Sequence, residues 1–265
     1  MKDKKVLIPL VVAVCIFFTG CQSSNVNKDV LYQVDLLQSL TLGQYDGVIT
    51  VEELAKHGDI GIGTFEGVNG EMIVLDGVVY QALGDGSVVV ADSKEKVPYA
   101  TVTYMDKDIE KKDFTANDIS DLKNKLDEIV KENGINHFYM VRIDGKCNQI
   151  KVRSELKQQK PYKYLDEALS TDQREFVYDN SEGTIVGLYC PPYMDKLNSP
   201  GWHFHFISND KKQGGHILEL NGLSGNVAMD KFSELDMYCP DNEIFDSLDL
   251  TVNQGDRIKD VEQGK

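Results

Sequence analysis

The chain is 265 residues long, 41% hydrophobic and 27% charged, the composition of a folded globular protein with length enough for one large core or two small ones. Its formal charge of −15 argues against a nucleic-acid partner, because phosphate recognition needs a basic face, and against charge-driven binding to anionic membranes.

The first residues read as a targeting segment. Lys2, Lys4 and Lys5 precede an apolar run at residues 6–18, which is too short for a good spanning helix and reads as a signal peptide over residues 1–20. Phe18-Thr19-Gly20-Cys21 resembles a bacterial lipobox with Cys21 as the lipidated first residue; plain secretion is the alternative. Either way the protein is expected outside the cell membrane, anchored on its outer face or secreted. Residues 21–30 would be a polar tether, leaving 31–265 as the folded unit, with two subdomains near 31–150 and 151–265 as one division. Cys147, Cys190 and Cys239 are too widely spaced for a disulfide scaffold or a zinc ribbon. Cys190 and Cys239 share a Tyr-Cys-Pro setting and could pair; buried free thiols are the other reading.

After the tether, residues 31–40 carry an apolar run of helical or strand-like character. Residues 51–57 read as a short helix capped by Thr50, with Glu53 completing a capping box and Gly58 stopping it. Residues 60–103 are short β-branched runs divided by Gly and Asp, a meander of about five strands. Residues 117–133 form the clearest helix, with Ile119, Leu122, Leu126, Ile129 and Val130 at helical spacing and Gly134 as its stop. Strands at 138–143 and 149–153 flank Asp144-Gly145, a hairpin signal. A second helix is expected at 165–175 and a strand at 182–190, ended by Pro191-Pro192. A hairpin of 202–207 with 215–220 follows, then a short helix or turn at 245–248. Runs of strands with a few helices predict an α+β fold with mixed and antiparallel sheets.

The segment Gly201-Trp202-His203-Phe204-His205-Phe206 alternates strictly, so on a strand His203 and His205 share one face and the aromatics the other. Imidazoles two residues apart on one strand face can converge on one ion. The polar loop at 208–214 returns the chain, and Gly214-Gly215 bring His216 up from the neighbouring strand. Three neutral imidazoles with a fourth position open make a catalytic Zn²⁺ arrangement, whereas structural zinc is usually closed by four ligands. Fe(II), Mn(II) or Ni(II) could bind the same donors. A pair of incidental or mutually hydrogen-bonded histidines is the plainer alternative, but three of the chain's five histidines fall between 203 and 216. A cupin-type site would want a Glu soon after the first two histidines; only Asp210 is near, and His216 comes too early. An exported metal-binding protein without catalysis is the other competing class.

At this point the sequence resembles the bacterial α-acetolactate decarboxylases over most of the chain. The resemblance rests on Gly63-Thr64-Phe65-Glu66-Gly67, on Gly70-Glu71-Met72-Ile73-Val74-Leu75-Asp76-Gly77, and on Lys151-Val152-Arg153-Ser154. It rests also on Trp202-His203-Phe204-His205-Phe206 and Gly214-Gly215-His216. It implies that His203, His205 and His216 hold a zinc ion, with Thr64, Glu71, Arg153 and Glu262 lining the site. Glu262 is matched only by its place near the C-terminus, so Asp260 and Glu243 stand as substitutes. It implies a homodimer, with the histidines on a second sheet, that converts (S)-2-acetolactate, a 2-hydroxy-3-oxo acid, to (R)-acetoin and CO₂ without an organic cofactor. Without the resemblance, Thr64, Glu71 and Arg153 would each read as ordinary strand or hairpin residues, and Tyr80, Tyr104 and Trp202 as core or interface aromatics.

Overall fold

The computed structural model describes residues 27–252. The leader, Cys21, Asp260 and Glu262 therefore lie outside the described residues. In chain order the elements are β1 (Val30–Val34), α1 (Leu37–Thr41), β2 (Ile49–Thr50), α2 (Val51–Leu54), β3 (Ile60–Thr64), β4 (Glu71–Leu75) and β5 (Val78–Ala82). Then come β6 (Val88–Val90), β7 (Lys96–Val97), β8 (Tyr99–Thr103), β9 (Ile109–Asp118), α3 (Ile119–Asn133), β10 (Phe138–Glu155) and α4 (Leu165–Asp172). The last are β11 (Gln173–Cys190), β12 (Gly201–Ser208), β13 (Gly214–Phe232), β14 (Glu234–Tyr238) and α5 (Glu243–Ser247).

These build the expected α+β fold from two large sheets, with β2 and β7 pairing as a separate two-stranded ribbon. The first has the order β14-β1-β8-β3-β4-β5-β6, antiparallel except for the parallel pair β1 and β14. The second has the order β10-β11-β12-β13-β9, and β10 also bonds β13, so four of its strands close a ring. The chain crosses from the first sheet to the second between β8 and β9, and returns after β13. The division expected near residue 150 falls inside β10, which runs unbroken through it.

Alternation along the strands decides which face meets which. On β12 the rings of Trp202, Phe204 and Phe206 enter a core with Leu122, Leu126 and Ile129 of α3. The other face of that sheet, through Met140, Val186, Leu188 and Ile207, packs on Ile60, Ile62, Ile73 and Leu75 of the first sheet. His203 and His205 lie on this second face of β12, with Ile207. Thr64 continues the series of Ile60 and Ile62, and Glu71 that of Ile73 and Leu75. Thr64, Glu71 and His203 therefore sit where the apolar inter-sheet core gives way to a pocket, with His205 buried beside them.

The α3 expectation is met: Asp118 caps the helix by accepting from the Asp121 N–H, and Gly134 follows it. The Thr50–Glu53 capping box is present in full, although α2 is only four residues long. Residues 31–40 divide into β1 and the short α1. The helix expected to 175 stops at Asp172, because Gln173 already pairs with Glu155 in β11. The short helix near 245 is α5, shifted to begin at Glu243.

Asp144-Gly145 is not a turn. Gly145 lies mid-strand in β10, opposite Gly183 on one side and Gly225 on the other. It lacks the positive φ that a tight hairpin turn demands. Glycine serves here because a Cβ would lie 2.4 Å from the Ser224 carbonyl oxygen. Cys190 and Cys239 do not pair; Cys147 and Cys190 are buried free thiols and Cys239 is an exposed one.

Gly145→Val should therefore lower stability by ~2 kcal/mol or more. Urea denaturation measures this, and an unchanged midpoint would show that the three strands can separate there without cost.

Candidate metal centre and pocket

The centre is assembled by strand register. His205 pairs with His216 across β12 and β13, and His216 pairs with Arg153 across β13 and β10. Thr64 pairs with Glu71 across β3 and β4. Gly215 makes the approach possible: its φ is +145°, and a Cβ would stand 2.5 Å from the Arg153 carbonyl oxygen.

The three histidines are buried and converge. His203 Nε2 lies 3.0 Å from His205 Nε2 and 2.9 Å from His216 Nδ1. The Nδ1–H of His205 donates to the Met72 carbonyl oxygen at 2.8 Å. In a neutral ring that bond puts the only proton on Nδ1, so His205 Nε2 turns a bare lone pair towards the other two imidazoles. Burial drives the His203 pKa down to about 3, assisted by the charges of Arg153 and Lys123. Burial also holds His205 well below its ordinary value, with His203 contributing. Neutral buried nitrogens this close, aimed at one point, are the donor set of a cation site, and one ion would satisfy together what a single proton can satisfy only pairwise. The group could hold a metal ion.

The other expected residues gather around it. Glu71 Oε2 is 3.4 Å from His205 Nε2. The Thr64 hydroxyl donates to the Gly70 carbonyl oxygen at 2.8 Å, which fixes the turn leading into Glu71. Arg153 is buried; its Nε stands 3.5 Å from Glu155 Oε1, and its Nη1 donates to Gln173 Oε1 at 3.4 Å. Thr64, Glu71, Arg153, Glu155, His203 and His216 together line one pocket of about 400 Å³. Its apolar wall comes from Leu37 and Leu40 of α1 and Leu165 and Leu169 of α4.

Glu243 is exposed on α5 and does not line the pocket, and Asp210 is exposed in the turn before β13, bonded to Ser208. Neither supplies the carboxylate that a substitute for Glu262 or a cupin-type site would need. Glu155 and Tyr99 were not anticipated. Glu155 could have been found, being two residues beyond Arg153 and so on the same strand face. Tyr99 enters only through its register with Thr64. Trp202 is a core aromatic as expected, its indole N–H donating to Asp127. His57 stacks on Tyr32, and His137 contacts the Phe232 carbonyl oxygen, both away from the pocket.

Fold and site together define a class, a two-sheet protein with a buried three-histidine group able to hold a metal at the wall of a largely apolar pocket. Sequence comparison names the family: the chain belongs to the α-acetolactate decarboxylases, whose profile matches residues 31–252. An α-acetolactate decarboxylase of Methanosarcina mazei is 40% identical over 240 residues, spanning 91% of this chain and 82% of its own. One from Brevibacillus brevis is 35% identical over 84% of this chain and 78% of its own. The crystal structure of the Bacillus subtilis strain 168 α-acetolactate decarboxylase superposes with a TM-score of 0.81 at 29% identity, covering 88% of this chain and 99% of that one. The chain is accordingly an enzyme, a decarboxylase of this family.

The depressed histidine pKa values have a consequence for the metal-free protein. Unfolded histidines titrate near 6.5, while folded His203 stays neutral down to about 3. Between those values the unfolded state binds more protons, so stability falls as pH drops through that window. The urea midpoint of metal-free protein should decline from about pH 7 to about pH 5, and His203→Gln should remove part of the slope. A flat profile in the parent chain would mean that the imidazoles protonate freely in the folded state.

Proposed function

We propose that the protein is a zinc-dependent decarboxylase of 2-acetolactate, with His203, His205 and His216 holding the metal. The observation that carries this reading is the convergence of three buried imidazoles, with His203 and His205 held neutral by burial, beside Arg153 and Glu71 at one pocket. Borderline nitrogen donors with no sulfur suit zinc, and a three-histidine set leaves coordination positions for substrate.

In the reaction the bond from the carboxylate to the carbinol carbon breaks, CO₂ leaves, and the electron pair moves onto the adjacent ketone as an enediolate. A proton then adds to carbon to give acetoin. Zinc bound at the histidines would supply Lewis-acid stabilisation of the charge developing during this step. Arg153, already buried and opposite His216, holds the substrate carboxylate and then the developing negative charge through its guanidinium. A carboxylic acid, Glu71 or Glu262, delivers the proton on one face, which makes the product chiral. Thr64 sets the position of Glu71 through its bond to Gly70. The leucines of α1 and α4 exclude water and accommodate the methyl groups. Export through residues 1–20 with an anchor at Cys21, and assembly as a homodimer, belong to the same proposal; they rest on the N-terminal sequence and on the family resemblance.

Purified protein given 2-acetolactate should release acetoin and CO₂, lose that activity to a chelator, and regain it with zinc. Metal-loaded protein that releases no acetoin, or a rate indifferent to chelation, would sink the reading. His203→Ala and His216→Ala should each lose both zinc and activity. Arg153→Ala should keep its zinc while its rate falls by ~100-fold or more.

A further inference from the structure

A second group of possible metal ligands lies far along the fold from the histidines. Asp106 and Asp108 sit in the crossing between the two sheets, and Asp230 near the end of β13 faces them. One carboxylate oxygen from each lies within 4.8 Å of the others. The crossing is pinned to β13 by backbone donors: the Asp106 N–H donates to Asp230 Oδ2 at 3.1 Å, and the Lys231 N–H to Asp108 Oδ2 at 3.3 Å. Asp106 and Asp108 are exposed, so solvent reaches the group from one side.

Asp230 is the independent observation. Its relative exposure is 0%, and its Oδ1 has no hydrogen-bond donor at all. A fully buried carboxylate with two more carboxylates against it, one of its oxygens left without a hydrogen bond, is a costly arrangement unless a cation or a proton joins them. Burial above all, with the charges of Asp106 and Asp108 and the Asp106 side chain beside it, raises its pKa to about 7 against the lowering effect of the Asp106 N–H. Lys107 and Lys231 neighbour the group in sequence, yet neither makes an ion pair with it among the described residues.

We propose that Asp106, Asp108 and Asp230 form a calcium site that clamps the inter-sheet crossing to β13. All three donors are hard oxygens, which favours calcium or magnesium over the nitrogen-preferring metal of the histidine centre. Two of the three lie on an exposed connector that can adjust to the irregular, 6–8-fold coordination calcium accepts, with water filling the remaining positions. Magnesium demands a stricter octahedron. The site does not depend on the reading of the histidine pocket and serves stability rather than the chemistry.

The test uses full-length, zinc-loaded protein titrated with calcium chloride, followed by calorimetry and thermal melting. One calcium should bind per chain with a Kd of about 0.1–1 mM, and about 5 mM calcium should raise the melting temperature by about 2–6 °C. Asp108→Asn and Asp106→Asn alter exposed side chains and should still fold, with acetoin release unchanged. Each should weaken calcium binding by ~10-fold or more and lose the thermal shift. Asp230→Asn should abolish binding if it folds, and the two exposed-site variants decide the matter if it does not. No saturable binding in the parent protein, or equal binding in Asp106→Asn and Asp108→Asn, would overturn the proposal and leave a proton shared between Asp230 and Asp106 as the device that relieves the buried charge.

Discussion

The arrangement depends on one constraint: the antiparallel register that sets His205 opposite His216 and His216 opposite Arg153. Side chains directly opposite on one sheet face stand within about 5.5 Å, so a single register brings two imidazoles and a guanidinium to the same spot. A slip of one residue would turn the group to the other face. The register is held by what lies behind it. Trp202, Phe204 and Phe206 are locked into the core under α3, and closure of the sheet through β10 and β13 leaves these strands no freedom to slide.

The second contribution comes from the first sheet. It supplies no histidine, yet the Met72 carbonyl fixes the tautomer of His205, and Thr64 and Glu71 extend the two strand faces that pack against the second sheet. Orientation of one imidazole nitrogen by a hydrogen bond at the other is a common device for tuning a metal ligand. The same burial that organises the group keeps it neutral. A protonated imidazole could not donate to a metal, so the depressed pKa values of His203 and His205 preserve binding competence well into the acid range. Glu155 beside Arg153 adds a partner that holds the guanidinium inside the pocket.

Much of this was legible in the chain. The Trp-His-Phe-His-Phe alternation has a period of two and resolves its faces unaided, and Gly214-Gly215 marks where a backbone must come close. Helix α3 was legible because its apolar residues repeat at helical spacing and its ends carry Asp118 and Gly134. The long strands were not. In β10 and β11 the central residues are Lys, Asn, Gln, Asp and Ser because one face meets solvent, so the apolar signal fades while the backbone ladder continues. Strand β9, with Glu110, Lys111, Lys112 and Asp113, is an edge whose charges hide it. Asp144-Gly145 signals a turn in sequence because glycine serves both a turn and a close strand crossing; its cross-strand partners Gly183 and Gly225 distinguish the two. Arg153, Glu71 and Thr64 carried no chemical signal of their own, and resemblance to the family singled them out before the geometry brought them together.

Zinc K-edge X-ray absorption of the loaded protein tests the central claim most directly, because it reports the donors around the ion. The histidine centre predicts three imidazole nitrogens at about 2.0–2.1 Å with oxygen donors completing the shell, and a reduced imidazole signal, or loss of the ion, in His203→Ala. A shell containing sulfur at about 2.3 Å, or a spectrum unchanged by His203→Ala, would contradict it.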